Sequence, residues 1–392
     1  EAALRHHYGP RADDMRRPDA IEIMPLFARL SAADQHKVFE SHLHQRIVIA
    51  TNVAETSLTV PGIRYVVDPG SARISRYSKT AKVQRLPIEP ISQASADQRS
   101  GRCRVADGIA IRLYSREDYE TRPRFTEPEI LRTSLGAVVL HMLSVGVART
   151  AEDVTNFGFI DPPDMKAVSD GFNELTELKA IGRKRGEVTL THTGRQLARI
   201  PIDVRLGRMV IEAAKTGSPN LLAQVLVVVA FLSLQDPRER PDDKREDADR
   251  IHNRYADETS DFLTALNIWD RVFQADGDPS NNALRRICKT EYFSWLRMRQ
   301  WKDLVSQLRQ MCKELKFKVG DPLPASRPGL EIRQLPLNQQ AAHSLCCAWE
   351  WISVSAVPNA DGRSWCRAAK LKNISRRSSA VSFRFIHKRN PE

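Results

Sequence analysis

Two short segments hold the residue types that could do chemistry. The first is Thr51-Asn52-Val53-Ala54-Glu55-Thr56-Ser57-Leu58-Thr59, directly after the β-branched run Arg46–Ala50. Such a run reads as a buried parallel strand. The polar atoms then emerge at its carboxyl end, where open parallel sheets place their ligands. Hydroxyls and an amide suit phosphate oxygens there, fixing position without reading sequence. A loop that simply caps the next helix fits the same residues equally well. The second segment is Gln98-Arg99-Ser100-Gly101-Arg102-Cys103-Arg104, with three arginines in six residues around a glycine. Packing explains this poorly, whereas planar, permanently charged guanidinium groups meet phosphate oxygens bidentately. An arginine reaching a nucleotide's terminal phosphate would stabilise the charge of phosphoryl transfer. The alternative is a solvated basic helix start.

These segments need an α/β frame. Ser31 is a good N-cap for a short helix over 32–41. Strands are expected at 46–50 and at 63–67, the latter ended by Asp68-Pro69-Gly70. The rhythm is that of a parallel-sheet domain whose first strands are absent from the pattern. Alternation over 72–77 and 83–86, around the turn Ser78-Lys79-Thr80, predicts a β-hairpin dense in basic residues, Arg73 and Arg76 among them. An edge hairpin with solvated charges would look the same.

Downstream, helical spacing predicts helices over 127–147 and 166–181, with strand-like pieces about Gly186 and residues 191–194. Helices followed by a small hairpin resemble a winged-helix module; a plain α+β connector is the alternative. Residues 195–234 read as helical and end at Gln235-Asp236-Pro237, and 238–254 as a solvated loop or helix face. The region 280–317 carries the stripe Leu284, Cys288, Trp295, Met298, Val305, Leu308, Cys312 and Leu315, with basic residues on its remaining faces. A stripe like this is core, while its basic face could meet phosphate. Residues 321–336 form a Pro-rich linker. Beyond Cys347 the periodicity is lost, as a shifted reading frame would make it.

Composition sets the outer limits. The chain has 392 residues, 41% hydrophobic and 28% charged, which describes a globular multi-domain protein. Its net charge of +12 makes a polyanionic partner plausible but says nothing of fold. Six cysteines without a C-x-x-C pair fit a reducing cytoplasmic compartment and no metal site. The longest apolar run, 221–234, is too short for a bilayer, so a membrane partner is not expected. No signal peptide opens the chain, and the missing initiator Met reads as an internal start.

Together and in order, the two segments resemble motifs V and VI of superfamily 2 helicases of the DEAH/RHA family. The long form from Thr51 through Gly70, then Ser75-Arg76-Tyr77 and Gln98 to Cys103, is highly specific. Residues 235–241 resemble the signature ending a helix of that family's ratchet domain, and residues 127–132 the entry to its winged helix. Residues 73–78 and 85–92 bring the likeness nearest to the bacterial HrpA-type, DEAH-box RNA helicases. It extends from about Ile21 to Cys347.

The resemblance implies a partial second RecA-like lobe (1–118, a parallel sheet with a β-hairpin insertion), a winged helix (119–200), an all-α ratchet domain (201–320) and a linker with a truncated or frame-shifted OB-like region (321–392). Thr51 and Asn52 would contact an RNA backbone, and Ser57 and Thr59 would couple RNA to nucleotide. Gln98 and Arg99 would face ATP phosphates, with Arg102 as arginine finger. The hairpin bearing Arg73 and Arg76 would wedge bases apart. Implied partners are ATP with Mg²⁺ in the complete enzyme, single-stranded or structured RNA, and a ribosome or ribonucleoprotein. The pattern departs from the family in two ways. Neither G-x-x-x-x-G-K-[ST] nor Asp-Glu-x-His occurs, so the chain alone is expected not to hydrolyse ATP. Cys103 is followed directly by Arg104 where the family has a Gly between, which shortens Arg104's reach by about 3.5 Å. A catalytically dead RNA-binding adaptor and a DNA helicase of the same superfamily are the other readings.

Overall fold

The computed structural model describes residues 1–321 apart from 28, 29, 31, 57–59, 79–82, 104–107, 185, 186, 242, 243, 258, 259, 275 and 276. The linker and OB-like region expected at 321–392 lies, beyond Asp321, outside the described residues, as does the turn at Lys79-Thr80. The chain divides into two compact units: residues 1–76, 84–132 and 239–245 form the first, and residues 77–83, 133–238 and the chain from Glu246 onward form the second.

The first unit is α/β. Helix α1 (Ala2–Tyr8) precedes β1 (Ile21–Leu26), which pairs in parallel with β2 (Gln45–Ala50), Ile21 opposite Gln45 and Leu26 opposite Ala50. Burial of Ile21, Ile23 and Leu26 sets this register. So does the ion pair between the opposed Glu22 and Arg46. Arg46 also donates to the carbonyls of Lys37, Val38 and Glu40, closing the end of α2 (Ala32–Lys37). Its demand shortens the helix expected to reach residue 41. The β1 pattern escaped sequence reading because Pro25 demotes a strand; β2 is its one strand neighbour among the described residues, an edge position that tolerates proline.

Strand β3 (Tyr65–Asp68) pairs in parallel with β8 (Ile109–Arg112). The single parallel sheet expected from sequence is therefore two separate parallel pairs among the described residues, because no described strand bonds between β2 and β3. Between β3 and β8, β4 (Ser71–Arg73) pairs antiparallel with β7 (Ile88–Pro90), and β5 (Arg76–Ser78) neighbours β6 (Val83–Arg85), as the alternation predicted. Short helices complete the unit: α3 (Val53–Thr56), α4 (Gln93–Ser100), α5 (Arg116–Thr121) and α6 (Glu129–Arg132).

The second unit is mainly helical. It opens with α7 (Gly136–Val145), α8 (Ala151–Thr155) and α9 (Met165–Glu177). The helix expected over 127–147 is broken at Ser134, whose hydroxyl donates to the buried Glu174 at 2.6 Å and accepts from the Gly136 amide. Glu174 also takes Arg205 at 2.6 Å, tying α9 to α11 (Val204–Lys215). Strands β9 (Ile181–Lys184) and β10 (Glu187–Leu190) form an antiparallel hairpin. Residues 191–194, expected to be strand-like, instead form the N-cap and start of α10 (His192–Leu197). Thr191 caps that helix by accepting from the Gly194 amide, and a Cβ at Gly194 would overlap the Ala180 carbonyl.

The helical stretch expected over 195–234 is interrupted at Pro201 and at Gly217-Ser218-Pro219, giving α10, α11 and α12 (Pro219–Leu232). Every residue of α12 from Leu221 to Ala230 is buried, so its all-round apolarity marks a central helix. It packs against α11, α14 (Asp261–Phe273) and α16 (Trp295–Glu314), with α15 (Asn281–Glu291) lying on α16 and α13 (Arg245–His252) preceding α14. The 238–254 stretch thus contains a helix. The 280–317 helix is two helices, ended between them by Tyr292 in a left-handed conformation and by the Phe293 amide donating to Cys288. Trp301 is fully buried, packs at a tilt against Phe231 and edge-on against Trp269, and donates Nε1–H to the Val227 carbonyl at 2.9 Å.

Candidate nucleotide and nucleic-acid site

Within the first unit the chemistry gathers where the parallel strands end. β2 stops at Ala50, and the next residue extends its ladder by one bond, the Thr51 amide donating to the Leu26 carbonyl at 3.0 Å. The Thr51 and Asn52 carbonyls then accept from the amides of Ala54 and Glu55, starting α3. Both side chains are left exposed at the carboxyl edge. Nearby, α4 is set by Ser92, which accepts from the Ser95 amide, and by Gln93, which donates to the Glu120 and Arg122 carbonyls.

From α4 two arginines reach back to α3 and β3. Arg99 donates to Glu55 at 3.0 Å, to Asp68 at 2.7 Å and to the Ser71 carbonyl at 3.2 Å. Arg102, in the 3-10 turn after α4, donates to the Glu55 carbonyl. The two sequence segments therefore converge through Glu55, beside the carboxyl ends of β2 and β3. Asp68 is only 3% exposed. It also accepts from the Gly70 amide and from the Tyr114 hydroxyl, each at 2.9 Å. Burial, followed by that bond to Asp68, pushes the Tyr114 phenol up to about 12. Arg122 stacks on the Tyr114 ring and donates to the Gly70 carbonyl, and Gly70 itself sits at φ +74 with no room for a Cβ against that ring.

The expected site residues thus fall into distinct groups. Thr51, Asn52 and Gln98 are exposed at the rim, and Arg102 is half-buried there. Arg99 belongs to an internal ion-pair network, in which its guanidinium joins α4 to β3. Arg73 is exposed on β4, but Arg76 is held by Glu89 at 2.6 Å and Glu127 at 2.5 Å, which raise its pKa, the bond to Glu127 most. Ser57, Thr59 and Arg104 lie outside the described residues. Sequence reading missed Glu55, Asp68 and Tyr114 as organisers of the site. Asp68 looked like the start of a turn, and nothing in its spacing marks it as a shared acceptor. Among the described residues no three His, Cys, Asp or Glu side chains could hold a metal ion, and no helix is long and apolar enough to cross a membrane.

An α/β unit with hydroxyls and arginines at the carboxyl ends of its strands, joined in sequence to a helical unit, matches two helicase domains. Residues 7–106 match the helicase conserved C-terminal domain and residues 203–265 the ratchet-like helicase-associated domain (HA2). The first unit is thus RecA-like and the second holds an HA2 ratchet. The chain is 52% identical over 302 residues to the ATP-dependent RNA helicase HrpA of Escherichia coli, and 50% identical over 304 residues to the HrpA homologue of Haemophilus influenzae. Each match covers 76% of this chain and 23% of the relative. The crystal structure of the E. coli DExH-box NTPase HrpB is similar over 77% of this chain and 30% of its own, at 25% identity and a TM-score of 0.53. The chain thus carries two helicase domains and is similar to the DEAH-box RNA helicases of the HrpA type, of whose length it spans about a quarter.

Proposed function

We propose that this chain is the RNA-gripping part of an ATP-dependent RNA helicase, one that couples ATP hydrolysis to movement along RNA and its unwinding. The observation that carries this reading is the convergence of the Thr51 loop and the Arg102 turn on Glu55 at the carboxyl edge of parallel strands. Thr51 and Asn52 present exposed polar groups for a phosphodiester backbone. Gln98 and Arg102 offer an amide and a guanidinium to nucleotide phosphates, the donor chemistry that an anionic triphosphate requires. A nucleotide pulling on Arg102 pulls on the Glu55 carbonyl, and so on the helix that follows Thr51. That short path is how the two ligands would sense each other. Mg²⁺ enters with ATP in the complete enzyme and is held by residues this sequence does not contain. Helices α7, α9 and α10 with the β9–β10 hairpin act as a winged helix beside the ratchet. The chain works in the cytoplasm on single-stranded or structured RNA, in a ribosome or another ribonucleoprotein.

The test is binding of labelled oligouridylate by the purified chain across a salt series, with an ATPase assay in parallel. Binding should weaken steeply with salt, Thr51→Ala should weaken it further, and no ATP should turn over. Salt-independent binding, or ATP turnover abolished by Arg102→Ala, would overturn the reading.

A further inference from the structure

The two parallel pairs of the first unit are covered unequally. In β1–β2, Ile21, Ile23 and Leu26 are buried, and Leu26 packs with Val38 and Val60 in a hydrophobic cluster. In β3–β8 one face is served by α4, whose Arg99 holds Asp68 and whose Asp97 holds Arg112. Alternate residues of a strand point the other way. There Tyr65 and Val67 stand beside their register partners Ile109 and Ile111. The ladder continues to Leu113, whose amide donates to the Asp68 carbonyl at 2.9 Å. These five side chains are between 48% and 66% exposed, and none carries a charge. Parallel strands are ordinarily buried on both faces, so a bare, continuous apolar patch on such a pair marks a contact surface.

We propose that this β3–β8 face pairs with the same face of a second copy of the chain, closing a two-fold dimer. The proposal goes beyond the helicase reading and requires nothing of it. Two identical apolar faces stack sheet on sheet, about 10 Å apart, and cover each other's full width. Each copy gives and receives the same patch, so the assembly stops at two. A tyrosine brings roughly 150 Å² and each half-exposed aliphatic side chain roughly 80 Å². The pair then buries about 1,000 Å², the size at which specific interfaces begin. An interface at that lower limit is weak, with a dissociation constant on the order of 10 μM. The net charge of +12 on each copy opposes their approach, and salt screens that repulsion. Salt therefore tightens this dimer, whereas it would loosen a contact made by charges. A polar partner would leave the ring and four aliphatic side chains unmatched.

The experiment is sedimentation equilibrium of the full chain in low and high salt, from about 1 to about 100 μM so as to bracket that constant. Wild type should pass from one mass to twice that mass, and its midpoint should fall several-fold in high salt. Val67→Glu/Ile111→Lys keeps the net charge but sets two charges on the patch, which a dimer would have to desolvate. That variant should stay monomeric at every concentration. Unchanged amide exchange of α4 in it verifies that the unit still folds. Tyr65→Gln, a single change at an exposed position, should weaken the dimer about tenfold and serves if the double variant does not fold. A monomeric wild type, a folded double variant that still dimerises, mass climbing past two copies, or a dimer weakened by salt would each overturn the proposal. Protection of β3 and β8 amides in a monomeric wild type, on adding an amphipathic Leu/Glu helical peptide, would give the face to a helix instead.

Discussion

Removing Asp68 should loosen α4 without unfolding the rest of the chain. Its carboxylate is 3% exposed and accepts from Arg99, Tyr114 and the Gly70 amide at 2.7, 2.9 and 2.9 Å. Deleting one partner of a buried ion pair costs about 3–5 kcal/mol, because the remaining charge stays desolvated. In Asp68→Ala, Arg99 keeps Glu55 at 3.0 Å and the Ser71 carbonyl at 3.2 Å, so the lower end, about 3 kcal/mol, applies. Asp68→Asn keeps the volume and one acceptor for Gly70, and should cost about 2 kcal/mol. A chain of two compact units does not meet the conditions for a single two-state transition, so a global melt is the wrong assay. Amide hydrogen exchange reports local opening directly, and a loss of about 3 kcal/mol speeds exchange in α4 roughly a hundredfold. Amides of α12 in the other unit serve as the internal control. Exchange of α4 within twofold of wild type in Asp68→Ala would refute the claim that this network holds the arginine-bearing helix in place.

Three further predictions concern the helical unit. Trp301→Ala should destabilise it by about 3–5 kcal/mol through loss of a fully buried ring, whereas Trp301→Phe should cost about 1–2 kcal/mol, both read from urea midpoints. Burial lowers the His252 pKa below its ordinary value, outweighing the Tyr292 and Glu291 carbonyls to which its ring donates. The unfolded chain therefore takes up a proton that the folded one resists, and stability falls as pH drops below about 6.5. That loss should be smaller in His252→Gln; a larger loss would reverse the sign. Cys312 is buried and its thiol is pushed up to about 11, so iodoacetamide at neutral pH should leave its peptide unmodified until denaturant is added, as followed by mass spectrometry.

What the sequence made legible follows the physics of each signal. Helix α12 was plain because its residues 221–230 are buried and, Gln224 apart, apolar, and β2 was plain because its β-branched run 47–49 has strand character even though it is only partly buried. Helix breaks were harder, since the periodicity of 280–317 runs straight through Tyr292, whose left-handed backbone is fixed by packing of Phe293 rather than by any turn residue. Pro25 hid β1 because proline penalises a strand except at an edge, and edges are a property of the assembled sheet. The site shows the same division. Thr51 and Arg102 announced themselves by type and spacing. The carboxylates that place them did not, because Glu55 lies one turn beyond Asn52 and Asp68 in a turn sequence. A lone Asp before Pro-Gly is ordinarily a turn former, and only the fold brings Arg99, from 31 positions later, onto it. Positions that bind a ligand can be guessed from chemistry alone, whereas positions that aim those residues depend on long-range closure. In this protein the second kind carries the coupling, since Arg99 and Arg102 both reach α3 through Glu55, one by its carboxylate and the other by its carbonyl.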